Sequence, residues 1–240
     1  METSRSTANA TGEYIRFDAE GFWAGMRATA SLALGVGAYG MVYGMLATQK
    51  GLSLLDCMLM SGVVFAGASQ FVVLDLWSHT LPVWTMILTV FVVNLRHVLM
   101  GASLRGWLAG VSPAKAYGSL FFMVDESWAL SVGDFSRGGR NAAFLLGSGS
   151  LLYFAWNLST VLGATAVSAL HDPARWGLDF AFVAAFLVLL VGMFRGREDI
   201  LPLTVAAAIA LLGEHFLPGK WYILLGGLAG GTVEALRHAD

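Results

Sequence analysis

Between Phe22 and Ala47 the chain runs for twenty-six residues with Arg27 as its only charge, and comparable apolar stretches recur as far as Leu236. A helix needs about 20 mostly apolar residues to cross a bilayer. In hydrocarbon the backbone amides and carbonyls must be satisfied within the segment, so each stretch is expected to be helical and the chain to pass repeatedly through a membrane. Charged residues make up 12% of the sequence, against about 25% in a soluble domain, too few to clothe a water-facing surface. The predicted fold is therefore all-α, a polytopic membrane bundle of seven or eight transmembrane helices.

Eight spans can be read, running approximately from Phe22 to Ala47, Leu55 to Trp77, Pro82 to Leu104, Ala116 to Val132, Ala142 to Leu170, Leu178 to Phe194, Leu201 to Leu212 and Trp221 to Leu236. The fourth is short and holds two acids, and the seventh is too short to cross unaided; either would serve as a half-helix or re-entrant segment. Residues 21–236 are expected to form one transmembrane domain, between a disordered cytoplasmic tail at 1–20 and a short tail at 237–240. The first twenty residues contain no hydrophobic run, so the first span rather than a cleavable signal is expected to be the membrane address. One side of the predicted topology holds Arg5, Arg16, Arg137, Arg140, Arg195, Arg197 and Arg237, and the other Lys50, Arg105, Lys115, Arg175 and Lys220. The positive-inside rule then places both termini in the cytoplasm, as expected for a multi-pass protein of a bacterial inner membrane.

Gly51-Leu52 opens the second span as Gly177-Leu178 opens the sixth, and Leu81-Pro82 opens the third as Leu201-Pro202 opens the seventh. These echoes suggest two halves, expected as inverted repeats with a substrate site between them; coincidence explains so few matches equally well. A formal net charge of −2 supplies no basic field for nucleic acid. Phosphate-loop, zinc-helix and dinucleotide motifs are lacking, so no cofactor or metal is expected and the chain itself does not hydrolyse ATP. Cys57, the lone cysteine, cannot form an internal disulfide and is expected to be a small packed residue.

Three polar clusters interrupt the apolar spans. In the second span Gly67-Ala68-Ser69-Gln70 combines close-approach residues with hydrogen-bonding side chains that must find partners away from water. A backbone opening fits there, as does tight helix packing. In the third, Asn94, Arg96 and His97 lie together. An arginine deep in a bilayer costs about 2.5–3.5 kcal/mol or more unless it meets an acid or a cavity, although Arg96 could also snorkel to an interface. In the fourth, Asp125 and Glu126 point about 100° apart on a helix, so one could pair with Arg96 while the other exchanges protons; both could also sit at a wet helix end. Milder features are the patch Asn157, Ser159 and Thr160, the helix-start acid Asp179, and the pairs Gly40 with Gly44, Gly226 with Gly230 and Gly227 with Gly231, which suit helix packing. An intramembrane serine hydrolase using Ser69, Ser103 or Ser148 with His97 remains an alternative, as does a permease subunit for another small solute.

The run Gly51-Leu52-Ser53, the stretch from Val64 to Phe71 and the stretch from Val93 to Leu104 resemble the AzlC family. So do Asp125 to Ala129, Gly177 to Phe182 and Leu217 to Tyr222, in family order. Where that family would place a proline-rich stretch, this chain has Val183-Ala184-Ala185-Phe186. The resemblance implies the large subunit of an exporter of branched-chain amino acids, with methionine as a further candidate. It also implies a small AzlD-like membrane partner and no ATPase. The expected mechanism is proton-coupled alternating access, with Ser69, Gln70, Phe71, Asn94 and Arg96 binding substrate and His97, Asp125 and Glu126 handling protons. Within that site, Gln70, Asn94 and Asp125 or Glu126 would hold the substrate ammonium and Arg96 or exposed backbone amides its carboxylate, while Phe65, Phe71 and Phe122 would enclose its side chain.

Overall fold

A computed structural model of the chain describes residues 15–78, 80–168, 196–216 and 221–237, with isolated positions at 187, 191 and 194. The sixth predicted span, Asp179 and the Gly177 to Phe182 motif lie outside these residues, as does most of each predicted tail. Among the described residues the architecture is helical, and its only extended pairing is a parallel bridge between Arg16 and Asn141.

The first span is α1, Ala19–Gln49. At 1.5 Å per residue its 31 residues extend about 46 Å, more than the hydrocarbon thickness. Asp18 caps it by accepting from the Gly21 amide. The fifth span, α8, covers Ala143–Ser168. These two helices run in the same direction and pack along their whole length through glycine. A Cβ at Gly25 would overlap the Phe144 carbonyl, one at Gly44 the Thr160 carbonyl, and one at Gly163 the Met41 carbonyl. The Gly40 and Gly44 face expected for packing is thus a seam with α8, and without a hydrophobic drive between helices in lipid such close backbone contact is what holds them. Asn141 locks the start of the seam, its Nδ2 donating to Asp18 Oδ1 at 2.6 Å and its Oδ1 accepting from the Ala143 amide at 3.2 Å.

Around this pair the second span is split into α2, Leu54–Leu59, a π-helical turn at Met60–Val64, and α3, Gly67–Leu76. The third is a single helix, α4, Val83–Ser103, followed by the short α5, Arg105–Leu108. The fourth divides into α6, Pro113–Phe121, and α7, Asp125–Ser136, the half-helices that its length suggested. The seventh span is longer than expected. With the 3-10 turn at Arg197–Asp199, α9 (Ile200–Phe216) reaches a length able to cross, because Glu214 and His215 continue the helix past Leu212. It forms an antiparallel hairpin with α10, Trp221–Arg237, in which Gly226 and Gly230 face Ala206 while Gly227 and Gly231 face open space.

Tyr43, Phe71, Leu74, Leu152 and Trp156 form the main buried cluster, which includes Cys57. A second gathers Met100, Leu104, Trp107, Met123 and Leu145. The outer face of α4, with Trp84, Ile87, Phe91, Val98 and Leu99 exposed, presents apolar surface of the kind lipid would cover.

Candidate functional site

Two helix breaks and one intact helix build the site. In the second span the π turn ends at Phe65, whose φ of 43° is left-handed, and Ala66 is non-helical, with φ −139° and ψ 83°, before α3 begins at Gly67. A phenylalanine in this region is costly and persists only where its surroundings enforce it. Here α8 enforces it. Tyr153 Oη donates to the Gly62 carbonyl at 3.0 Å, its ring meets Phe65 edge-on at 5.0 Å, and the Trp156 ring packs on Gly67. The second break lies between Phe121 and Asp125 and is also pinned by α8, because Gly149 lets the Phe122 carbonyl approach its backbone. There Ser127 Oγ accepts from the Val124 amide at 2.9 Å and donates to the Val124 carbonyl at 3.0 Å, which starts α7. The first-turn amides of α3 and α7 have no intrahelical acceptors and carry the positive ends of their helix dipoles.

Both helix starts border one cavity of about 280 Å³. Gly67 and Ala68 line it from α3, and Val124, Asp125 and Glu126 from the start of α7. Arg96 and His97 enter from α4, and the remaining wall is Val36, Tyr39, Phe65, Ala66, Phe71 and Trp156. Arg96 Nη1 lies 2.7 Å from Asp125 Oδ2, with the two side chains 33% and 41% exposed. Adjacent Glu126 forms no ion pair among the described residues. Arg96 Nε and His97 Nδ1 are buried and lack hydrogen-bond partners among those residues. Such atoms call for a partner that the described residues do not supply. The cavity therefore combines a half-satisfied cation, an unpaired carboxyl, two sets of helix-start amides and an aromatic wall.

Of the residues expected at the site, Arg96, His97, Asp125, Glu126 and Phe71 line the cavity. Ser69, Gln70 and Asn94 do not. Ser69 Oγ donates to Asn94 Oδ1 at 2.9 Å, which ties α3 to α4. Gln70 is fully buried, and its Nε2 donates to Ser61 Oγ at 3.1 Å. Phe65 lines the cavity as expected, whereas Phe122 stacks edge-on against Tyr153 outside it. The sequence reading missed Val36, Tyr39 and Trp156. For Trp156 a signal existed, since it directly precedes the polar patch Asn157, Ser159 and Thr160; for Val36 and Tyr39 there was none.

The family model described as AzlC protein matches residues 31–170. Among curated proteins, the inner membrane protein YgaZ of Escherichia coli strain K12 is 28% identical over 203 residues, covering 82% of each chain. The branched-chain amino acid transport protein AzlC of Bacillus subtilis strain 168 is 24% identical over 194 residues, covering 78% of this chain and 76% of its own. An uncharacterized membrane protein of Archaeoglobus fulgidus is 34% identical over 177 residues, or 73% of this chain and 76% of its own. No solved structure matches. The apolar helices and these relatives make the chain a multi-pass membrane protein.

Proposed function

This chain belongs to the AzlC family, and from that premise we propose that it is the large subunit of a two-component exporter of branched-chain amino acids, working by proton-coupled alternating access in a bacterial inner membrane. The observation that carries this reading is the Arg96–Asp125 pair beside the unpaired Glu126, on a cavity bordered by two helix starts. A free amino acid is a zwitterion and brings one charge of each sign at fixed spacing. Arg96 and the α3 and α7 amides offer donors to its carboxylate, and Glu126 offers an acceptor to its ammonium. In the empty site Asp125 compensates Arg96, so neither state leaves an isolated cation in the bilayer. Phe65, Phe71 and Trp156 give the branched side chain an apolar wall, and the cavity volume lies near the lower end of small-molecule sites, about 300 Å³. Glu126 and His97 are the groups assigned to proton exchange.

The hydrolase reading finds less support. Among the described residues Ser69 Oγ donates to Asn94, Ser103 Oγ to the Met100 carbonyl and Ser148 Oγ to the Leu145 carbonyl, so none of the three is engaged with His97. The test is efflux of preloaded labelled leucine or valine from cells expressing this chain, with and without a small AzlD-like partner, before and after collapse of the proton gradient. Gradient-dependent efflux requiring the partner is the expected result. Equal retention with and without the chain under every condition would rule the reading out.

A further inference from the structure

Ser61 does not touch the cavity, yet three side chains from two elements converge on its hydroxyl. It lies fully buried in the π turn that precedes the break. From beyond the break, Gln70 Nε2 donates to Ser61 Oγ at 3.1 Å. From α8, Trp156 Nε1 donates to the same oxygen at 3.2 Å. Thr160 Oγ1, one turn further along α8, is 3.0 Å away. A serine hydroxyl offers two lone pairs and one proton. With both lone pairs occupied by N–H donors, its proton is directed to Thr160, and the full capacity of the oxygen is used.

The held indole is a cavity wall. Trp156 stacks on Tyr43 with ring centres 5.8 Å apart and meets Phe71 nearly perpendicular at 6.4 Å. Opposite its six-membered ring stands Gly67, where an added Cβ would lie 3.0 Å from Cη2. Both Trp156 and Gly67 line the cavity. The break would otherwise leave the π turn and α3 free to move relative to each other, and the Gln70 link across it fixes the gap that the ring occupies.

We propose that Ser61 is a positioning residue that holds the Trp156 indole seated against Gly67 as a size gauge, so that the position of this ring in the cavity wall sets the length of aliphatic side chain the cavity accepts. This rests on the amino acid transport reading above. One change loosens the gauge and another tightens it. Ser61→Ala removes the acceptor of the indole N–H and leaves Gln70 and Thr160 without their shared partner, so the ring gains freedom to yield to a longer side chain. Gly67→Ala adds a methyl group to the cavity wall, 3.0 Å from the ring, and reduces the space left for a side chain.

The test has two arms on the purified full-length protein. In the first, without substrate, the indole N–H resonance of Trp156 is assigned by its loss in Trp156→Phe. It should move upfield in Ser61→Ala and keep its hydrogen-bonded position in Ser61→Thr, which retains the hydroxyl. An unmoved resonance in Ser61→Ala overturns the positioning role whatever the protein transports. In the second, labelled valine, leucine and phenylalanine are titrated onto each variant. One methylene in an apolar pocket discriminates by about 10- to 200-fold, so the valine-to-phenylalanine Kd ratio should shift on the order of tenfold toward phenylalanine in Ser61→Ala and in the opposite direction in Gly67→Ala. Parallel loss of all three ligands in both variants, with unchanged ratios, overturns the gauge. Absence of binding by the unaltered protein, both alone and together with its small AzlD-like partner, overturns the transport reading and the gauge with it, while the first arm still reports whether Ser61 holds the indole.

Discussion

Arg96 on α4 and Asp125, the first residue of α7, form an ion pair of 2.7 Å across the mouth of a helix break. Since both side chains remain about a third to two-fifths exposed, the pair is worth more than a surface contact of up to about 1 kcal/mol and less than the ~3–5 kcal/mol lost when a fully buried pair is broken. Asp125→Asn is expected to lower stability in detergent by about 1–2 kcal/mol and to abolish transport. Arg96→Gln combined with Asp125→Asn should recover stability without transport, which thermal unfolding and efflux can separate.

Glu126 has a different role to test. Glu126→Gln keeps the shape of the side chain but cannot release a proton. Exchange of labelled for unlabelled leucine across proteoliposomes is expected to persist with weakened affinity, because the amide oxygen still accepts from the ammonium without its charge, and net efflux driven by a proton gradient to be lost. Normal gradient-driven efflux in this variant would remove Glu126 from the coupling.

Close packing of α1 on α8 predicts opposite outcomes for glycines of the same helix. Gly25→Ala and Gly44→Ala drive a methyl group into a backbone carbonyl and should cost about 1–3 kcal/mol. Gly35→Ala and Gly37→Ala meet nothing within 4 Å and should be neutral or slightly stabilising. Thermal denaturation of the four variants checks the contrast.

At the break, Phe65 reverses an ordinary preference. In a helix interior alanine is better than glycine by about 1 kcal/mol, but a left-handed residue carries a Cβ penalty of roughly 1–2 kcal/mol that glycine avoids. Phe65→Gly should therefore melt above Phe65→Ala. Alanine melting higher would mean that the backbone at this position is helical.

Ahead of the first apolar helix, Asp18 joins the starts of α1 and α8. The Asn141 side chain, followed by the Gly21 amide, holds its carboxyl below the ordinary value of 3.8. A carboxylate depressed in the folded state stabilises above its unfolded pKa, and that contribution disappears as the pH falls through the folded value. Acidification from pH 6 to below 4 should thus lower the melting temperature of the native chain more than that of Asp18→Asn.

The physics of the bilayer made some of this legible in the sequence. Arg96 and Asp125 could be paired in advance because hydrocarbon leaves a charge few alternatives to an opposite charge. The fourth span betrayed its break through its two acids and its length. Which face of a helix meets the cavity was not legible. At 100° per residue, Gly67, Ala68 and Phe71 fall within one 100° sector of α3, while Ser69 and Gln70 point elsewhere. By the same rule Asn94 is 200° from Arg96 on α4. The left-handed Phe65 was hidden too, because its cause is tertiary: Tyr153 and Trp156, about ninety residues away in sequence, hold the turn open. Small residues from Gly67 to Ser69 marked the neighbourhood of the break but not the residue that makes it.

The most direct test of the account is equilibrium binding of labelled leucine to the purified protein and to Arg96→Ala. Saturable binding is expected, displaced by valine and isoleucine but not by the 2-oxo acid of leucine, which lacks the ammonium that Glu126 would hold. Loss of a charged hydrogen bond of about 1.5–3 kcal/mol should weaken it by on the order of tenfold or more in Arg96→Ala. Equal affinity in the two proteins, or displacement by the 2-oxo acid as effective as by valine, would contradict a zwitterion site at the Arg96–Asp125–Glu126 cavity.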